Sequence, residues 1–357
     1  MKLKPVLFIT GEVPAYRVEG LRLLHEREGI EVALTGGRVK HGGPGRPGEL
    51  PFPHTEVAPH RLYGLARQQR HRAVVVSTAG RLAPLASWTG ARRARLPVIL
   101  WASLWAHPRS PAQLAGYPLL RSLYASADAV VTYGPHVSAY VEARGAHNVH
   151  VAPQAVDNAF WGAEIAEPQR LPPEWPADAT MRFLFVGRDA PEKGLAVLGE
   201  AWREARKAAP GAALLIAGGA DPGWDQTLAL GRLNAERLRD VYAACDVLIV
   251  PSIATRTFRE PWGLVVNEAM NRGLAVIASD AVGAAAGELV RNGTNGLVVP
   301  AGDAPALGAA IARLARKPQL RAAMGVEGIK EVRSHSQEAW AGGFAAALAS
   351  LGLSRSR

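Results

Sequence analysis

The feature that most constrains this chain is its rhythm. Short apolar runs alternate with longer stretches of helical spacing along nearly the whole length. In the first half the runs are Val6–Thr10, Glu31–Leu34, Val74–Ser77, Val98–Trp101, Ala129–Thr132 and Val149–Ala152. In the second half they are Phe183–Val186, Ala213–Ala217, Val247–Val250, Ala275–Ala278 and Leu297–Val299. Most are continuously apolar rather than alternating, which suits strands buried on both faces of a parallel sheet. Between them, Glu192–Ala208 sets Leu195, Leu198, Trp202 and Ala205 at helical spacing. Strand and helix in alternation predict an α/β chain.

At 357 residues the chain exceeds one ordinary core. A Pro-rich stretch divides it: Glu167–Thr180 holds four prolines, which block helix and sheet pairing alike. The predicted organisation is a first domain over 1–166, a second over 181–335, and a closing alanine-rich helix within 336–357. A single cysteine, Cys245, excludes an intrachain disulfide and fits a reducing compartment. The apolar run near the N-terminus is too short for a signal-peptide core, and no uncharged run reaches membrane-spanning length. A cytoplasmic location is therefore expected.

The net charge of +10 is uneven. Residues 1–165 hold 19 Lys/Arg against 11 Asp/Glu (+8), whereas residues 166–357 hold 22 against 20 (+2). The excess is densest in Arg61–Arg72 and Arg92–Arg95. A solvated basic face, an anionic acceptor and an anionic membrane surface all account for it. Nucleic acid is not an expected partner, because no binding signature accompanies the charge.

Ligands of open parallel sheets bind beyond the carboxyl ends of the strands. After Phe183–Val186 comes Gly187-Arg188-Asp189-Ala190-Pro191-Glu192-Lys193-Gly194, leading into a helix. Arg188 and Lys193 there are candidate ligands for a diphosphate, or else solvated turn charges. After Val247–Val250, Pro261 is placed to open a helix, with Glu260 at its start and Glu268 about two turns on. Two such carboxylates can accept hydrogen bonds from sugar hydroxyls. Small residues over Gly283–Gly287 would admit a phosphate or sugar close to the backbone.

Several motifs are missing. The one Gly-x-Gly-x-x-Gly, Gly43–Gly48, lies in a Pro-rich loop, which disfavours a dinucleotide cofactor. There is no P-loop, no His/Cys cluster at zinc spacing and no Asp-x-Asp. No cofactor and no metal are expected, and Arg188 and Lys193 would neutralise a diphosphate themselves.

Taken together, Gly187-Arg188…Lys193-Gly194, Val241–Val247…Pro251-Ser252, Glu260-Pro-Trp-Gly-Leu…Glu268-Ala-Met and Ala278-Ser279-Asp280…Gly296-Leu297-Val298 resemble the family-4 (group 1) retaining glycosyltransferases. The resemblance is strong over residues 181–303 and weaker over 97–160. It implies the GT-B fold, two Rossmann-like domains facing across a cleft, with the last helix crossing back to the first domain. It implies a nucleotide-diphosphate sugar donor, an acceptor hydroxyl on a glycan, lipid-linked or small molecule, and retention at the anomeric carbon.

By the same resemblance, Arg188 and Lys193 bind the diphosphate and Glu268 the ribose. Glu260 and His107, the latter in Trp105-Ala106-His107, lie at the reacting sugar as catalytic residues, and Gly263, Leu264 and Val265 offer backbone to the sugar and phosphate. Many similar chains act on lipid-linked or cell-surface glycans, which adds peripheral contact with the inner membrane face to the expectations. Another GT-B enzyme, such as a nucleotide-sugar epimerase or hydrolase, and a non-catalytic nucleotide-sugar-binding protein remain as alternatives.

The chain departs from the family pattern at three places. Thr10-Gly11-Glu12-Val13-Pro14-Ala15-Tyr16-Arg17 replaces adjacent glycines, Trp262 replaces a smaller aromatic and is expected to reshape the sugar pocket, and Gln154-Ala155-Val156-Asp157 replaces Asn-Gly-Val-Asp.

Overall fold

A computed structural model describes residues 3–36, 50–78, 82–165 and 179–355. Most of the predicted linker, and the Gly43–Gly48 motif, lie outside these residues. The chain forms two compact units, Met1–Ala155 with Ser336–Arg357, and Val156–His335.

Unit 1 runs β1 (Val6–Thr10), α1 (Ala15–Glu28), β2 (Ile30–Leu34), β3 (His54–Glu56), α2 (Leu62–Arg67), β4 (Ala73–Ser77), α3 (Leu82–Arg93), β5 (Val98–Ala102), α4 (Pro111–Ser126), β6 (Ala129–Thr132), α5 (Pro135–Glu142) and β7 (Val149–Val151). Its strands pair in parallel in the order β3-β2-β1-β4-β5-β6-β7.

Unit 2 runs α6 (Asn158–Gly162), β8 (Met181–Val186), α7 (Leu195–Ala208), β9 (Ala212–Ala217), β10 (Thr227–Gly231), α8 (Ala235–Ala243), β11 (Val247–Val250), α9 (Val265–Asn271), β12 (Ala275–Ser279), α10 (Gly283–Ala286), β13 (Gly296–Val299), α11 (Ala304–Arg316) and α12 (Pro318–Val332). Its parallel sheet has the order β10-β9-β8-β11-β12-β13. The chain ends with α13 (Gln337–Ser350), which belongs to unit 1.

Both sheets grow outward from their first strand in one direction, then reverse. This is the doubly wound Rossmann order, and its ligand crevice opens where the order reverses. That point lies between β1 and β4 in unit 1 and between β8 and β11 in unit 2.

Alternate residues of each strand feed opposite faces, so each sheet is buried on both. In unit 1, Leu62, Ala91, Tyr124 and Val141 from α2–α5 cover Leu7, Val74 and Leu100. On the other face, Leu21 and Leu24 of α1 and Trp340 and Phe344 of α13 cover Phe8, Val75 and Ile99. In unit 2, α7 and α11 bring Leu198, Trp202, Leu307 and Ile311 onto Phe183, Ile216 and Ile277.

Residues 156–165, assigned by sequence to the first half, group with unit 2, where Asn271 donates to the Asn158 side chain at 2.9 Å. The two strands without a sequence signal, β3 and β10, are sheet edges. β3 is fully exposed, so it never needed apolar residues.

Candidate functional site

The reversal point of unit 2 is built from three loops that leave adjacent strands β8, β11 and β12. The loop after β8 ends in a single tight turn, Pro191–Lys193, and enters α7 through Gly194. Gly194 has φ +71°, and a Cβ on it would stand 1.9 Å from the Pro251 carbonyl oxygen. Only glycine lets these two loops touch. The Ile253 amide donates to the Glu192 carbonyl at 3.0 Å and completes the seam.

The loop after β11 is pinned to the start of α10. The Gly283 amide donates to the Glu260 carbonyl at 3.1 Å, and the Ala284 amide to the Trp262 carbonyl at 2.8 Å. A Cβ on Gly283 would lie 2.0 Å from the Pro261 carbonyl. The smallness of Gly283 is thus used by the protein's own Pro261. Pro261 does not open a helix. The chain turns again at Gly263, φ +94°, and α9 begins at Val265, so Glu260 stands in the preceding loop and Glu268 in the first turn of α9.

This framework joins Lys193 to Glu260. Lys193 Nζ lies 2.5 Å from Glu260 Oε2, and Ser252 Oγ donates to the same oxygen at 3.4 Å. Glu260 is only 5% exposed, and Ser252 is buried beside it. Arg188 pairs instead with Glu192, one helical turn away in sequence, and keeps half of its side chain in solvent. Both cations expected to meet a diphosphate are therefore at this loop, and each is balanced by a carboxylate.

Glu268 forms a separate pair. Tyr242 of α8 donates its hydroxyl to Glu268 Oε2 at 2.8 Å. Glu268 is half-buried, and this desolvation pushes its pKa up to about 7, although the Tyr242 hydrogen bond pulls the other way. Burial first, and Glu268 second, hold the Tyr242 phenol well above its ordinary value.

Sequence reasoning missed Ser252 and Tyr242 as site residues. Both lie within the motifs that carried the resemblance, but their partners come from other elements. Trp262 does not line a sugar pocket. It is 3% exposed, with its indole N–H donated to Asn267 Oδ1 at 2.8 Å.

In unit 1, His107 follows β5. Its Nε2 is 3.0 Å from the Gln113 carbonyl, its Nδ1 is 3.5 Å from the Tyr140 hydroxyl, and its ring packs edge-on against Tyr117 at 4.6 Å. With Nε2–H donating to Gln113, Nδ1 is left as the acceptor for Tyr140. The first loop turns Arg17 inward. Its Nη2 donates to Gln154 Oε1 at 2.6 Å, and its guanidinium lies 4.5 Å from the Trp340 ring centre. Gln154, which departs from the family's asparagine, thus serves as the acceptor for the other departure, Arg17.

Among the described residues, no group of three or more His, Cys, Asp or Glu is placed to hold a metal ion. No helix among them is long and apolar enough to cross a membrane.

Comparison with known proteins places the strongest likeness on unit 2. Residues 180–317 match the family model described as glycosyl transferases group 1. Two curated relatives are phosphatidyl-myo-inositol mannosyltransferases, from Mycobacterium leprae (strain TN), 33% identical over 162 residues, and from Mycolicibacterium smegmatis (strain ATCC 700084 / mc(2)155), 32% over 149. The matches cover 43% and 39% of this chain and span only 42% and 37% of those relatives.

Solved structures match throughout. HepE of Anabaena in complex with UDP has TM-score 0.77 at 19% identity, covering 97% of this chain and all of that one. Sucrose-phosphate synthase of Thermosynechococcus elongatus has TM-score 0.72 at 21% identity, covering 98% and 99%. The fold is the GT-B fold of those structures, and residues 180–317 are similar to the group 1 glycosyl transferases.

Proposed function

We propose that the protein is a glycosyltransferase that moves a sugar from a nucleotide-diphosphate donor to an acceptor hydroxyl, with retention, in glycan, glycolipid or polysaccharide biosynthesis. The observation that carries this reading is the Lys193–Glu260 pair, held with Arg188 at the reversal point of the unit 2 sheet. Mannosyltransferase relatives, and neighbours of the same fold holding UDP or UDP-glucose, support a nucleotide-sugar donor.

In this scheme the diphosphate draws the Lys193 ammonium away from Glu260 and engages Arg188. Both cations then stabilise the negative charge that develops on the departing diphosphate, with no metal required. Glu260, released from Lys193 but still touched by Ser252, accepts hydrogen bonds from the sugar as its anomeric carbon becomes electron-poor. The acceptor hydroxyl attacks the anomeric carbon from the face the diphosphate leaves and passes its proton to the departing phosphate oxygen as the carbon–oxygen bond to the diphosphate breaks, which gives retention. Glu268 receives the ribose hydroxyls. His107, expected at the sugar, has both ring nitrogens facing protein groups and would act there only by giving up the Gln113 or the Tyr140 contact.

A calorimetric screen of UDP, GDP, ADP and their sugars tests the reading. Tight binding of one diphosphate series, together with sugar release that requires an added acceptor, is the expected result. Binding of none of them overturns it, and donor turnover without acceptor points to an epimerase or hydrolase.

A further inference from the structure

Trp262 stands two residues after Glu260 in the loop that follows β11, and its side chain is buried in unit 2. Pro261 joins the two. Its ring fixes its own φ and restricts Glu260 before it to extended backbone, so residues 260–262 form a stiff arm. The arm is pinned to the start of α10 at both ends, by the Gly283 amide on the Glu260 carbonyl and the Ala284 amide on the Trp262 carbonyl. A shift of the indole is therefore carried to the backbone that bears the Glu260 carboxylate.

Two groups hold the indole. Asn267 of α9 is wholly buried, and its Oδ1 accepts the indole N–H at 2.8 Å. The His335 ring lies against the indole, with ring centres 5.6 Å apart and planes 32° apart. His335 is the last residue of unit 2 before the chain returns to unit 1. Packing alone would be served by an apolar pair, such as Phe with Leu, without burying an amide. The polar pair adds one fixed orientation of the ring.

Helix α9 continues the path. Asn271, one turn after Asn267, donates from Nδ2 to the Asn267 carbonyl and to Asn158 Oδ1, both at 2.9 Å. Asn158 is the third residue of unit 2 after the chain leaves unit 1. Its own Nδ2 donates to the carbonyls of Val332 at 3.2 Å and His335 at 3.3 Å. One amide side chain thus fastens the outgoing segment to the returning one. The contacts close a circuit from Trp262 through Asn267, Asn271, Asn158 and His335 back to Trp262.

We propose that this circuit positions Glu260. Trp262, set by Asn267 and His335, fixes where the Glu260 carboxylate stands, and Asn158 ties that setting to the two segments by which the chain passes between its units. Trp262, Asn267 and Asn158 are positioning residues, since each acts through another. The effect on rate rests on the transferase reading, whereas the circuit itself does not.

Two measurements on the full chain test it. The first needs no donor: amide hydrogen exchange over residues 282–286 in Asn158→Ala. The Gly283 and Ala284 amides are expected to exchange about tenfold faster, with β8 and β9 unchanged, although Asn158 touches none of these residues. Unchanged exchange there, or a rise spread over all of unit 2, overturns the proposal whether or not the chain transfers sugar. The second is kinetic, with the nucleotide sugar that the calorimetric screen selects. Asn158→Ala, and separately Trp262→Phe with Asn267→Leu, are each expected to lower kcat by about tenfold to a hundredfold. The affinity for the nucleotide diphosphate alone is expected to stay at the parent's value. The Phe/Leu pair removes both hydrogen-bonding partners together, so its Tm is expected to stay near the parent's. Added to that pair, Asn158→Ala is expected to have no further effect on kcat, because its route through Trp262 is already broken. A parent-like kcat in the Phe/Leu variant, or losses that simply add, overturns the proposal and leaves the transferase reading intact.

Discussion

The chemistry of the proposed donor site rests on how three carboxyl and two cationic side chains are paired before any ligand arrives. With its pKa near 7, Glu268 is half protonated in neutral solution. In the proposed site, ribose hydroxyls would donate to the ionised form, and binding would draw a proton off the site. Nucleotide affinity is therefore expected to rise about tenfold between about pH 6 and pH 8, then level off. Calorimetry in buffers of different ionisation heat checks the proton release. In Glu268→Gln the pH dependence is expected to disappear and KM to rise, while Glu260→Gln is expected chiefly to lower kcat, because its proposed partner is the reacting sugar. Swapped phenotypes would reverse the two roles. Arg188 and Lys193 also separate. Arg188 makes a half-exposed pair worth at most about 1 kcal/mol, so Arg188→Ala is expected to leave Tm unchanged and to cost diphosphate binding about 2 kcal/mol. Lys193→Ala leaves Glu260 buried without its cation and lowers both affinity and Tm.

At the scale of elements, loops after adjacent strands are joined through glycine. Gly194→Ala puts a methyl group 1.9 Å from the Pro251 oxygen at a positive φ, so the two loops must part. The expected result is a loss of nucleotide binding larger than that of Arg188→Ala, together with a lower Tm. Binding as tight as the parent's would show that the seam does not position the cations. The sequence made the loop after β8 legible, because Gly187, Arg188, Lys193 and Gly194 are adjacent in the chain. It misplaced the start of α9, because Pro261 satisfies a local helix-start rule that the bridge from Glu260 to Val282 overrides. The edge strands β3 and β10 escaped notice for the opposite reason: little of them is buried, so no apolar run marks them.

At the scale of the whole chain, unit 1 depends on the helix that arrives last. Trp340 and Phe344 of α13 are buried against Phe8, with ring centres 6.4 and 5.4 Å from it. Trp340 also carries the stacked Arg17. Trp340→Ala is expected to cost about 3–5 kcal/mol, read by denaturant unfolding. A chain ending at His335 is expected to expose the α1 side of the sheet and to aggregate. The absence of Asp-x-Asp makes a different expectation at this scale: sugar transfer persists in excess EDTA. A complete loss that magnesium or manganese restores would assign the diphosphate to a metal instead of Arg188 and Lys193.

What the amino-acid sequence determined by itself was whatever is encoded locally. Short continuous apolar runs suit strands buried on both faces, and their alternation with helices leads to parallel sheets with ligand loops at their carboxyl ends. The positions of Arg188 and Lys193 in the loop after β8 followed directly, and so did the placing of Glu260 and Glu268 after β11, though not where α9 starts between them. Tertiary structure alone decided the pairings. The joining of Lys193 to Glu260, Tyr242 to Glu268 and Arg17 to Gln154 needs residues 67, 26 and 137 positions apart along the chain to meet. It also decided which apolar residues remain outside, as at Leu114 and Leu119 on α4, because a leucine states its preference for burial but not whether the fold has room to grant it.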